Sequence, residues 1–130
     1  MKNIKITGRI LLPAFTNWEE KISDFKFQMN ANQGIFGELG HPELPLDFPV
    51  INHNKISHII KEIYYDDMGN IDCFIDVLDT PNGTTLQKII DDDIPIQIKP
   101  RMLGIKHDNG EIDIINLITF DIVFKNIEPV

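Results

Sequence analysis

Apolar residues recur at every second position in several short segments of the chain, and this period of two limits the fold to one built mainly from β-strands. Successive side chains of a strand point to opposite faces, so each such segment buries one face and exposes the other. Isoleucine, a β-branched residue common in strands, supplies most of these positions. We predict strands over residues 4–12, 56–65, 71–78, 94–98 and 112–124.

One segment has the period of a helix instead. Leu86, Ile89 and Ile90 are spaced i, i+3 and i+4, which places them on one helical face. Thr80, Pro81 and Gly83 mark the end of the strand before this segment. The pattern predicts a helix over residues 82–92 that packs these three side chains onto the sheet.

The region from residue 17 to residue 49 has mixed signals. Asn17 is a suitable cap for a helical turn, whereas Phe25, Phe27 and Met29 alternate as in a strand. We predict a short turn followed by a strand. Residues 30–49 are rich in Gly, Pro and Asn and match neither period, and a loop of this length inside a compact domain is usually functional.

These elements predict an α+β, β-rich fold: a mostly antiparallel twisted sheet or partly open barrel with one main helix. The chain has 130 residues, which is enough for one hydrophobic core, so residues 1–130 are expected to form a single domain. Hydrophobic residues make up 42% and charged residues 25% of the chain, as in globular domains and unlike disordered tails.

Charge and composition exclude several functions. The formal net charge is -8, which repels phosphate backbones and argues against a nucleic-acid partner. No run of apolar residues is long enough to span a membrane, and no signal peptide is recognisable, so we expect an intracellular protein without a membrane partner. A single cysteine, Cys73, excludes an internal disulfide and is expected to be a buried core residue. The run Asp91, Asp92, Asp93 is interpreted as a solvated helix end, so neither a metal site nor a cofactor is expected.

Two polar residues stand out as candidates for chemistry. His41 lies in the Gly- and Pro-rich segment, either as a catalytic base held at a bend or as a solvated loop residue. Asp121 lies between Phe120 and Ile122 in an apolar strand, where it either orients a histidine or faces water. Spacing alone leaves these alternatives open.

Several segments, taken in order, resemble the prohead protease family of T-even-like tailed phages. Residues 37–42, Gly-Glu-Leu-Gly-His-Pro, are similar to the family's G-E-L-x-H-P segment, which carries the catalytic histidine. Residues 77–83, Val-Leu-Asp-Thr-Pro-Asn-Gly, are similar to its V-L-x-T-P-x-G turn before a helix. Residues 119–123, Thr-Phe-Asp-Ile-Val, resemble its closing V-D-x-V strand, which supplies the acid of the triad. The resemblance implies a prohead-protease-like fold in which His41 and Asp121 occupy catalytic positions.

The chain departs from this family where the nucleophile is expected. The family has an S-S-R-G-L-G motif, and the matching residues 98–104 are Ile-Lys-Pro-Arg-Met-Leu-Gly. Lys99 and Pro100 therefore stand in place of the paired serines, and acyl transfer by this route needs a hydroxyl or thiol beside a base. Proline also lacks the N–H that an oxyanion hole would use. We expect no intact catalytic set, with His41 and Asp121 as remnants.

The resemblance and this departure together predict a catalytically inactive, prohead-protease-like phage structural protein. We expect an auxiliary or cementing component of the capsid, assembled in the host cytoplasm and located in the virion. Its expected partners are phage capsid or scaffold proteins, within an assembly in which the chain is either a monomer or an oligomer.

Two alternatives belong to other classes. The first is an active capsid-assembly serine-type protease in which Ser57, Thr80, Thr84 or Thr85 reaches His41 in the fold. The second is a regulator or inhibitor that binds an enzyme through an acidic surface.

Overall fold

The computed structural model of the protein describes residues 3–42 and 49–125. Six strands and two helices make up this part of the chain, with a 3-10 turn at Leu12–Ala14. The strands are β1 (Asn3–Arg9), β2 (Ile35–Glu38), β3 (Ile56–Tyr65), β4 (Asn70–Val77), β5 (Ile96–Lys106) and β6 (Ile112–Phe124), and the helices are α1 (Trp18–Ala31) and α2 (Pro81–Asp91).

The strands form two antiparallel sheets. Four strands pair in the order β1-β4-β3-β2, and β5 pairs with β6 as a long hairpin. Leu39, just after β2, forms a parallel bridge with Ile122 of β6, and this bridge places the two sheets side by side. The sheets are not closed into a barrel. The predicted α+β, strand-rich and mostly antiparallel fold is confirmed.

The unpaired edge of β6 is covered by the N-terminal part of the chain. Phe15 forms a parallel bridge with Ile112, and the Asn17 side-chain amide donates to the Ile114 carbonyl at 2.9 Å. The Ile114 N–H donates in return to Asn17 Oδ1, also at 2.9 Å. Asn17 therefore bonds to β6 and does not cap α1 with its side chain.

The strand predicted through Phe25, Phe27 and Met29 is wrong, because these residues belong to helix α1. The buried side chains of this helix are Trp18, Ile22, Phe25 and Met29, whose spacing follows the helical period. Phe27 lies on the other side of the helix and is 70% exposed. The described region therefore has two helices, where the sequence predicted one main helix.

Helix α2 agrees with its prediction and begins one residue earlier. Thr80 is its N-cap, and the Thr80 hydroxyl accepts a hydrogen bond from the Gly83 N–H at 2.9 Å. Leu86 and Ile89 are buried, and Ile90 packs against the core from a partly buried position. The predicted packing of this helix is confirmed. No helix in the described ranges is long and apolar enough to cross a membrane.

Strand β4 supplies the centre of the core. Ile71, Cys73, Ile75 and Val77 are all buried, as their alternation predicts, so Cys73 is a core residue. Of the segment predicted as an irregular loop, residues 30–49, the structure assigns two residues to α1 and four to β2. Residues 43–48 lie outside the described part of the chain.

Candidate functional site

Near the open end of the β5–β6 hairpin, one face carries charged side chains and the other carries apolar side chains. Lys99 pairs with Asp121 and Pro100 pairs with Phe120 in the antiparallel register. Directly paired residues share a face, so Lys99 lies on the same face as Asp121, whereas Pro100 lies on the side of Phe120. Phe120 belongs to the core and packs edge-on against Phe25 of α1, with ring centroids 5.2 Å apart.

The segment after β2 brings His41 to Asp121. The Gly40 N–H donates to the Ile122 carbonyl at 2.7 Å, next to the bridge made by Leu39. One residue further on, His41 Nδ1 lies 2.9 Å from Asp121 Oδ2. The two candidate residues taken from the sequence are therefore in direct contact.

Asp121 is also held by a buried arginine that sequence reasoning did not select for the site. Arg101 Nε donates to Asp121 Oδ2 at 2.9 Å, and Arg101 Nη2 donates to Asp121 Oδ1 at 2.7 Å. Nη2 lies 3.1 Å from Glu38 Oε2 as well. We call Glu38, Arg101 and Asp121 the charge cluster. Arg101 and Asp121 have no solvent exposure, and Glu38 is almost completely buried.

Register shifts of the strands lie next to Glu38 and Arg101. The register between β2 and β3 shifts between Gly37 and Glu38, so that both of these consecutive residues are buried. A second register shift follows Arg101 in β5. Bulges of this kind redirect a side chain relative to its neighbours. Arg101 lies two residues after Lys99 and therefore points to the same hairpin face as Asp121, where it meets Glu38.

Burial in this site favours a neutral His41. Burial lowers the pKa of His41 below its ordinary value of 6.5; Asp121 opposes this effect, whereas Lys99 and Arg101 add to it. Burial also raises the pKa of Asp121, against the opposing effect of Arg101. A carboxylate only accepts hydrogen bonds, so His41 Nδ1 carries the proton and the lone pair of the neutral ring is on Nε2. This is the tautomer of a histidine that acts as a general base.

The nucleophile motif has no hydroxyl at this place. Lys99 is exposed on the hairpin face shared with Asp121, and its charge acts on His41. The site therefore combines a histidine–aspartate pair with an ammonium group. It can hold and orient a proton, but Lys99 and Pro100 offer no oxygen that could attack a carbonyl.

A second histidine, His58, is part of the core. Its Nε2 donates to the Phe120 carbonyl at 3.0 Å, and its Nδ1 accepts from the Ser57 hydroxyl at 2.7 Å. Both residues are fully buried, and burial lowers the pKa of His58 to about 4. A Cβ atom on Gly37 would lie 2.1 Å from His58 Nε2, so glycine is needed beside this ring.

Three of the four hydroxyl groups proposed as alternative nucleophiles have structural partners. Ser57 bonds to His58, as described above. The Thr80 hydroxyl donates to the Ile56 carbonyl at 2.6 Å while capping α2. The Thr85 hydroxyl donates to the Pro81 carbonyl at 3.2 Å. Thr84 lines a groove between α2 and the end of β4.

The remaining candidate ligands are scattered. Asp91, Asp92 and Asp93 lie at the C-terminal end of α2, where Asp92 and Asp93 are exposed. His107 pairs with Asp113 at 2.7 Å near the exposed turn of the β5–β6 hairpin. Within residues 3–42 and 49–125, no three His, Cys, Asp or Glu side chains are grouped so that they could hold a metal ion.

Comparison with known proteins shows a similarity in fold. No family model matches the sequence, and no curated protein matches it. Among solved structures, the chain is similar to the capsid assembly protease gp21 of bacteriophage T4, with a TM-score of 0.62 and 13% sequence identity. The match covers 95% of this chain and 82% of the T4 chain. The two chains share a fold. The prohead-protease-like fold is thereby confirmed, and because one fold hosts many functions, function has to be argued from the residues of the site.

Proposed function

We propose that this chain is a catalytically inactive, prohead-protease-like structural protein of a phage, an auxiliary or cementing component of the capsid. The observation that carries the proposal is the identity of the residues beside the His41–Asp121 pair, where the family has serines. At the register position opposite Asp121 the chain has Lys99, followed by Pro100. A base and its orienting acid are present, and the expected nucleophile is replaced by two residues without a hydroxyl.

The contacts of Asp121 supply a reason for its presence that does not involve catalysis. Both of its oxygens accept hydrogen bonds from Arg101, and Oδ1 also lies 3.3 Å from the Glu38 N–H that donates to it. A buried guanidinium needs a buried anion, because an unpaired charge in the core is strongly destabilising. The fold therefore requires Asp121 even where no reaction does.

The proposed partners follow from the similarity in fold. The T4 protein is named a capsid assembly protease. We propose that the present chain binds phage capsid or scaffold proteins without cutting them. On this proposal it assembles in the host cytoplasm, as a monomer or an oligomer, and stays in the virion.

The test has two readouts on one protein. The purified chain is incubated with the capsid and scaffold proteins of its own phage, cleavage is followed by mass spectrometry, and binding to assembled capsids is measured by co-sedimentation. We expect no cleavage and binding at a fixed stoichiometry. The matched variant His41→Ala should bind equally well. Failure to bind capsids, with no cleavage, would contradict the structural role.

A second candidate, an active protease with a nucleophile elsewhere, is favoured by the neutral, Nδ1-donating state of His41. In the same assay this candidate predicts specific cuts that disappear in His41→Ala. If His41→Ala loses the cuts but still binds capsids, the natural protein is an active protease and the proposal of an inactive structural protein is wrong.

A further inference from the structure

The charge cluster contacts both ends of the segment that leaves β2 and returns to β3. At the first end, Gly40 bonds to Ile122 and His41 bonds to Asp121, as described above. At the second end, Arg101 Nη1 donates to the Val50 carbonyl at 2.8 Å, and the Asn52 N–H donates to Glu38 Oε2 at 2.8 Å. One buried group of three side chains is therefore bonded to His41 near the first end of this segment and to Val50 and Asn52 near the second.

We infer that Glu38 and Arg101 are positioning residues that fasten both ends of this segment to the β5–β6 hairpin, and that Arg101 thereby holds Asp121 in place for His41. This inference does not depend on the proposed function, because it concerns the geometry of the site in an active or an inactive protein alike.

The geometry of Arg101 makes it difficult to replace. Its Nε and Nη2 atoms bind the two oxygens of Asp121 as a fork, Nη2 also contacts Glu38, and Nη1 bonds to the backbone of Val50. Lysine has one ammonium group and cannot reproduce a planar fork that serves three partners. An Arg101→Lys protein keeps the charge but loses part of this bonding, so Asp121 and Val50 are no longer held by one rigid group.

Glu38 links the cluster to the returning chain. Its carboxylate accepts from the Asn52 N–H and faces Arg101, while its own N–H donates to Asp121. Glu38 and Asp121 are two buried carboxylates that share one cation. Removing the negative charge at Glu38 weakens the hold on Asn52 and leaves the pairing of Arg101 with Asp121 in place.

Hydrogen exchange of individual amides tests this inference. In Arg101→Lys we expect the amides of Gly40 and Asn52 to exchange faster together, by about tenfold or more, while amides of β4 such as Ile75 keep their protection. In Glu38→Gln the acceleration should be larger at Asn52 than at Gly40. The matched controls Arg9→Lys and Glu62→Gln change the same residue types at exposed positions and should leave both amides unchanged.

An NMR resonance of the His41 ring distinguishes a positioning role of Arg101 from a general contribution to stability. The proton that His41 Nδ1 donates to Asp121 should give a downfield NMR resonance in water. This resonance should be lost or broadened in Arg101→Lys and should remain in Arg9→Lys. If Arg101→Lys accelerates exchange in β4 as much as at Gly40 and Asn52, the variant has lost stability as a whole. The exchange rates of Glu38→Gln are then used for the test. Unchanged exchange at Asn52 in that variant, or an unchanged His41 resonance in a folded Arg101→Lys protein, would overturn the inference.

Discussion

Acid should destabilise this protein through His58. The folded state holds His58 as a neutral ring, with one nitrogen donating to Phe120 and the other accepting from Ser57. Burial lowers the pKa of His58 from 6.5 to about 4, so the unfolded chain takes up a proton first as the pH falls. The stabilisation from the neutral ring is therefore present above pH 6.5 and is lost as the pH falls toward 4.

The size of the effect follows from the shift of the pKa. The full shift corresponds to a loss of about 3 kcal/mol, of which about 2 kcal/mol is expected by pH 5. Since a domain of this size is stabilised by about 5–15 kcal/mol, this loss is large enough to measure.

Denaturant unfolding at a series of pH values measures this loss. Trp18 is the single tryptophan of the chain and is buried, so its fluorescence reports global unfolding. A His58→Gln protein will be less stable at every pH, but its free energy of unfolding should lack about 2 kcal/mol of the decrease between pH 7 and pH 5. His107→Gln removes an exposed histidine and should keep the decrease of the natural protein. If His58→Gln shows the same decrease as the natural protein, the assignment of a buried neutral His58 is wrong.

Three further predictions concern the core and helix α2. Gly37→Ala should lower the free energy of unfolding by about 2 kcal/mol or more, because its Cβ atom would collide with His58 Nε2 and lie 2.7 Å from the Phe120 carbonyl; thermal melting checks this. Thr80→Ala should cost about 1–2 kcal/mol by removing the N-cap of α2, whereas Thr85→Ala should cost less than about 0.5 kcal/mol in the same denaturant titration. Cys73 should react with a thiol reagent only after unfolding, since burial raises the pKa of its thiol; rapid labelling under native conditions would contradict its place in the core.

Strands with one buried face could be predicted because their pattern is local. The bounds of β3 and β6 match their predictions, and β4 differs by one residue at each end. The error at α1 has a physical cause. Phe25, Phe27 and Met29 imitate a strand, but only Phe25 and Met29 face the core, and the packing of Phe25 on Phe120 involves a residue far along the chain. Tertiary contacts of this kind override local spacing.

The site was partly predictable for a different reason. His41 and Asp121 were selected together through the family resemblance, and the structure places them in contact. Glu38 and Arg101 were not selected, because charged residues are normally exposed and their burial depends on one another. No local sequence pattern predicts that Arg101 on β5 contacts the carboxylates of Glu38 on β2 and Asp121 on β6.

The place of β6 has a consequence for how the protein folds. This strand pairs with β5 on one edge, and on the other it binds residues near Phe15, Asn17 and Leu39, which were synthesised long before it. A nascent chain that ends before β6 has no partner for these residues and leaves Phe25 of α1 without the Phe120 ring on which it packs. Folding should therefore be completed only after β6 has left the ribosome, through contacts of high sequence separation that form in about milliseconds to seconds. Until then, Phe25 of α1 and the edge of β2 are open to chaperones or to another copy of the chain.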